Sequence, residues 1–132
     1  MNTNWLMSSS AVVMGLWGFV GTFLPKEIAN FLGIDASPIT LILLQIIGGL
    51  YFGFAMLNWF TRSARIGGIY NRPVVLGNMS HFIVVAFALI RQLIDQVNFI
   101  LILMTVIYVV FAICFGYVFR ANPLKDELKN AA

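Results

Sequence analysis

QVNFILILMTVIYVVFAICFGYVF, residues 96–119, contains no Asp, Glu, Lys or Arg. A helix needs about 20 apolar residues to cross the hydrocarbon core of a bilayer, and this run supplies them. Working outward, residues 1–25 and 36–61 also lack all four charged types, and residues 73–90 carry His81 as their single ionisable group. The chain is 61% hydrophobic and 10% charged, against about 25% charged in soluble domains. A soluble fold of 132 residues has no interior large enough to hide so much apolar surface. The expectation is an all-α membrane protein with one domain, 1–132. Four transmembrane helices, about 5–24, 38–60, 73–91 and 98–119, would form an up-down-up-down bundle, followed by a polar tail, 120–132.

Punctuation between the spans refines this reading. Pro25 stops the first span. In KEIANFLG, 26–33, the apolar residues Ile28, Phe31 and Leu32 recur at helical spacing, which predicts a short helix lying in the membrane interface. Asp35-Ala-Ser37-Pro38 reads as a cap with proline at the first helical position of the second span. The loop before Pro73 carries Arg62, Arg65, Gly67-Gly68 and Arg72, and a short turn over 92–97 joins the last two spans.

Charge sets the orientation. With four spans, Arg62, Arg65, Arg72, Arg120, Lys125 and Lys129 share one side, and Lys26 and Arg91 share the other. Six against two places both termini in the cytoplasm by the positive-inside rule, in a plasma or inner membrane. Trp5, Trp59, Tyr70 and Tyr117 then fall near the cytoplasmic interface. The net charge of +3 lies at span ends and suits anionic lipid heads. A nucleic-acid protein would cluster it on a water-facing surface, so no nucleic-acid partner is expected. The start lacks the basic region of a signal peptide, so the first span reads as retained. Lys125-Asp-Glu-Leu128 is not terminal in this sequence, as a retention signal must be. Asn78-Met-Ser80 spells a glycosylation acceptor inside a span, out of reach of that chemistry.

In lipid, small residues mark the side of a helix that packs. They give stripes of Ser8, Ala11, Gly15, Gly18 and Thr22 in the first span, and of Gln45, Gly48, Gly49, Phe52, Gly53 and Met56 in the second. The third span presents Gly77, Asn78, Ser80, His81, Ala88 and Arg91, and the fourth Asn98, Thr105, Ala112 and Gly116. Met79, Ile83, Phe87 and Ile90 form the opposite, lipid-facing side of the third span. Helix-packing candidates are Gly15, Gly18, Gly48, Gly49, Gly53 and Gly77. Gly49-x-x-x-Gly53 serves packing within the bundle or association between copies. Tyr51 and Asn58 fall on a different face of the second span. That face is a second contact surface, or Asn58 snorkels to the interface.

Catalytic chemistry is not legible. No carboxylate lies in a span to complete a Ser-His-Asp set, no phosphate-cradling loop with a Lys is present, and nothing calls for a cofactor or metal. Cys114, the single cysteine, can form neither an intramolecular disulfide nor a cysteine metal site. Intramembrane ionisable groups are functional candidates by default, which singles out His81, about 12 Å in from Pro73 along the helix. It is a packed, hydrogen-bonded residue, a ligand contact, or a proton relay or metal ligand. Gln45, Tyr51 and Arg91 complete the candidate ligand-binding set. Arg91 either pairs with Asp95, four residues on, or, with Gln45, meets a polar head group or an anionic ligand. The leading expectation is a non-enzymatic accessory protein that associates with itself or with a larger membrane complex. The alternative is a binder or carrier of a small apolar ligand, a lipid or quinone, beside His81.

The run Leu44-Gln-Ile-Ile-Gly48-Gly49-Leu-Tyr51-Phe-Gly53-Phe-Ala, followed by an arginine-bearing loop and a third span ending in Arg91, resembles the small four-helix bacterial membrane proteins of the DoxX-like and related uncharacterised families. The resemblance covers about 20–120 and matches at Gly48, Gly49, Tyr51, Gly53 and Arg91. It implies a four-helix bundle in a bacterial inner membrane and carries no catalytic residue.

Overall fold

In the computed structural model, which describes residues 3–63 and 71–120, five helices follow one another without a strand among the described residues. They are α1 (Thr3–Phe23), α2 (Pro25–Leu32), α3 (Pro38–Thr61), α4 (Arg72–Asp95) and α5 (Phe99–Arg120). α1, α3, α4 and α5 are 21, 24, 24 and 22 residues long. At 1.5 Å per residue they reach roughly 31–36 Å, enough to cross a bilayer, and their composition is apolar enough to do so. The chain is thus a multi-pass helical membrane protein by length and composition. The 64–70 part of the basic loop, with Arg65, Gly67-Gly68 and Tyr70, and the tail after Arg120 lie outside the described residues.

Local chemistry explains the boundaries. Pro25 disfavours helix at the residue before it; Leu24 accordingly leaves the helical region and ends α1, while Pro25 itself opens α2. α2 closes on Gly33, whose φ of 66° is a left-handed conformation that costs glycine little. Ser37 caps α3: its hydroxyl accepts from the Thr40 amide at 3.2 Å, with Pro38 in the first turn. Asn98 does the same for α5, accepting from the Leu101 amide at 2.7 Å. α4 runs one turn past the expected end at Arg91. Nothing in Gln92-Leu-Ile-Asp95 breaks a helix, and the chain turns extended only at Gln96.

Two compact units result, each a helix hairpin: α1, α2 and α3 form one, α4 and α5 the other. In the first, α1 buries Met7, Ala11, Met14, Gly18 and Gly21 against α3, the alternating three- and four-residue spacing of a coiled-coil seam. α3 answers with Gly48, Ala55 and Asn58. The register is antiparallel, with Thr22 beside Gln45, Gly21 beside Gly48, Gly18 beside Phe52 and Gly15 beside Ala55. The approach is close. A β-carbon on Gly48 would lie 2.5 Å from the Thr22 amide nitrogen, and one on Gly18 would lie 2.6 Å from that of Phe52.

The second hairpin closes differently. α4 buries Val75, Asn78, Phe82 and Ala86; α5 buries Thr105, Tyr108, Phe111, Phe115 and Val118. Phe82 stacks on Phe111 (centroids 4.8 Å) and Phe115 (5.5 Å) and meets Tyr108 edge-on (5.4 Å). Of the expected small-and-polar stripe on α5, only Thr105 is buried. Offset ring stacking supplies packing that small residues supply in the first hairpin. The burial pattern nonetheless repeats: Met7, Ser10, Met14 and Gly18 of α1 are spaced like Val75, Asn78, Phe82 and Ala86 of α4. Gly48, Ala55 and Asn58 of α3 are likewise spaced like Tyr108, Phe115 and Val118 of α5. The sequence repeats locally as well, LILLQII at 41–47 against LILMTVI at 101–107.

Candidate functional site

The deepest polar arrangement in the first hairpin joins α1 to α3. The Asn58 side-chain amide donates to the Ser10 hydroxyl at 3.0 Å and approaches the Met14 sulfur at 3.7 Å. Ser10 in turn donates to the Met7 carbonyl at 3.0 Å, so its oxygen is left to accept from Asn58. Both residues are fully buried. The face of α3 that packs on α1 is therefore that of Gly48, Ala55 and Asn58, and half-buried Tyr51 shares it by helical spacing. The expected stripe of Gln45, Gly49, Phe52, Gly53 and Met56 lies to one side of it and is exposed. Asn58 does not snorkel; it bonds across the hairpin.

The glycines divide accordingly. Gly15, Gly18 and Gly48 line the α1–α3 seam, together with Gly21, which was not among the helix-packing candidates. A β-carbon on Gly49 or Gly53 would meet nothing within 4 Å. Gly77, on α4, is half-buried. Gln45 reaches from the flank of α3 to donate to the Thr22 carbonyl at 3.4 Å.

His81 lies on α4 beside the aromatic seam, half-buried, its ring 5.3 Å from Phe82 and 6.0 Å from Tyr108. Arg91 is exposed, ten residues further along the same helix. His81 and Arg91 belong to one hairpin, and Gln45 and Tyr51 to the other. Tyr108, at the centre of the ring cluster, escaped the sequence reading because an aromatic in an apolar run carries no periodic signal of its own.

A concavity opens between α4 and α5 on the opposite flank of α4 from His81. Its volume is about 340 Å³, and Ile83, Ala86, Phe87, Ile90, Val109, Ala112 and Ile113 line it without a polar side chain. Arginines lie beside aromatic rings in both hairpins. Arg62 stacks over Trp59 at 3.8 Å and donates to the Trp59 carbonyl at 2.6 Å, and Arg72 lies over Phe119 at 5.2 Å. These contacts hold cations beside rings that prefer the membrane interface.

Comparison with protein-family models, with curated proteins and with solved structures finds no match for this chain.

Proposed function

We propose that this chain is an accessory, non-enzymatic membrane protein that works by helix association, with itself or within a larger membrane complex. The observation that supports this is the flank of α3 bearing Gly49 and Gly53, which the α1–α3 seam leaves open. Glycines four apart let a second helix backbone approach closely, where van der Waals contact rather than the hydrophobic effect drives association. The proposal keeps the single up-down-up-down bundle, both termini cytoplasmic in a bacterial inner membrane, and the DoxX-like resemblance carried by Gly48, Gly49, Tyr51, Gly53 and Arg91. It also places α2 along the interface. Lys26, Glu27 and Asn30 fall on one side of α2 by helical spacing, and Ile28, Phe31 and Leu32 on the other, with Phe31 and Leu32 exposed.

Native mass spectrometry of the detergent-solubilised protein tests the association. The expected result is an oligomer that Gly49→Leu converts to monomer while Gly33→Ala, outside the spans, does not. A monomer for the unsubstituted chain, with no co-purifying protein, contradicts the reading.

The second reading, a binder of a small apolar ligand such as a lipid or quinone, is favoured by the apolar groove between α4 and α5.

A further inference from the structure

We infer that the α4–α5 groove holds one acyl chain of an anionic phospholipid whose head group is met by Arg91. The inference rests on the second reading and replaces the His81 side of α4 with the opposite flank. It starts from depth. α4 ends at Asp95 and turns at Gln96. Ile90 and Ile83, the two ends of the groove on α4, lie roughly 8 and 18 Å below that end at 1.5 Å per residue. One leaflet of the hydrocarbon core is about 15 Å deep. The groove therefore occupies the depth at which an acyl chain runs when its head group lies at the α4–α5 turn.

Shape separates a lipid chain from a helix. A helix with side chains is about 10–12 Å across, and a two-turn length of it displaces on the order of 800 Å³, more than twice the groove's 340 Å³. A helix would ride across the groove; a single file of methylenes fills it. The lining offers no hydrogen-bond partner, so a polar or ringed tail gains nothing there.

Charge then selects the lipid. Arg91 follows Phe87 by one turn, on the same side of α4, and is exposed. Its stem can run along apolar surface while the guanidinium rises to the interface, and a guanidinium binds phosphate in a bidentate fork. Because the bilayer already solvates acyl chains, the groove alone gives little preference for one lipid over another. Selectivity rests on Arg91.

The test reconstitutes the full chain with equal amounts of phosphatidylglycerol and phosphatidylcholine of identical acyl chains, then counts retained lipids by native mass spectrometry. The expected result is one phosphatidylglycerol retained per chain, at least five-fold over phosphatidylcholine. Arg91→Gln abolishes that preference, and Ala112→Phe, which fills the groove, lowers retention of both lipids. Arg62→Gln, on the other hairpin and engaged with Trp59, leaves the preference unchanged. Equal retention of the two lipids, unaltered by Arg91→Gln, overturns the head-group assignment while leaving an apolar-ligand binder standing. No retained lipid, with Ala112→Phe behaving as the unsubstituted chain, overturns both. Disulfide-linked dimers through Ile113→Cys in a Cys114→Ser background show a helix in the groove and overturn the lipid assignment.

Discussion

Asn58 and Ser10 carry a buried side-chain hydrogen bond between α3 and α1 that fixes the register of that hairpin. Such bonds contribute about 0.6 kcal/mol on average within membranes and up to about 1.7. A double-mutant cycle with Asn58→Ala and Ser10→Ala, read by steric trapping or denaturant titration in bicelles, should return a coupling in that range. Ser9, which is exposed and bonds only the Leu6 carbonyl of its own helix, should show none with Asn58. Gly48 and Gly49 make a sharper pair. Adjacent in sequence and alike in chemistry, they differ in that a methyl on Gly48 would strike the α1 backbone. Overpacking of that kind costs about 1–3 kcal/mol, so Gly48→Ala should destabilise the hairpin by that amount and Gly49→Ala by less than about 0.5. The sequence showed both as small residues on one stripe. It could not rank them, because they lie 100° apart and the rule that small residues face inward admits either flank. Asn58 was misjudged for a related reason: a polar residue near a helix end snorkels or bonds inward, and only its partner decides.

At the scale of elements, what was legible was what depends on local chemistry. Pro25, Ser37-Pro38 and Pro73 punctuate the helices through a missing donor or an available acceptor, and each does so within a few residues of its own position. Length and apolarity identified the four long helices. What escaped was the character of the α4–α5 seam. Small residues were expected to face inward, yet Phe82, Tyr108, Phe111 and Phe115 form it. An aromatic side chain is as apolar toward lipid as toward a neighbouring helix, so hydrophobicity does not say which way it points. Ring stacking does. Phe82→Ala should therefore cost at least about 2 kcal/mol in hairpin stability, through lost packing and a cavity. Phe87→Ala, 69% exposed on the same helix, should fall within about 0.5. Thermal denaturation of the two variants in one detergent compares them directly.

Across the whole molecule, two hairpins share one burial pattern, and the eight residues of α2 are the principal addition in the first. Each hairpin contains two of the four helices that are long and apolar enough to cross a membrane. The proposed four-span topology predicts that the connection between α1 and α3 and the turn between α4 and α5 emerge on one side, and the segment joining α3 to α4 on the other. The proposed orientation, the proposed interfacial placement of α2 and the depth assigned to the α4–α5 groove all rest on that topology. The four long apolar helices themselves were readable in the sequence, because span length and apolarity are set by burial cost and not by packing detail. The candidate ligand residues were far less so. Gln45, Tyr51, His81 and Arg91 were singled out by polarity in an apolar setting, and the groove, having no polar residue, gave no such signal.

The most direct measurement is labelling of single cysteines by a membrane-impermeant maleimide, in a Cys114→Ser background, on right-side-out and inverted vesicles. Ala36→Cys and Val97→Cys should label from the same face, and Thr3→Cys and Ser63→Cys from the other. Labelling of Ala36→Cys and Val97→Cys from opposite faces would contradict the four-span arrangement.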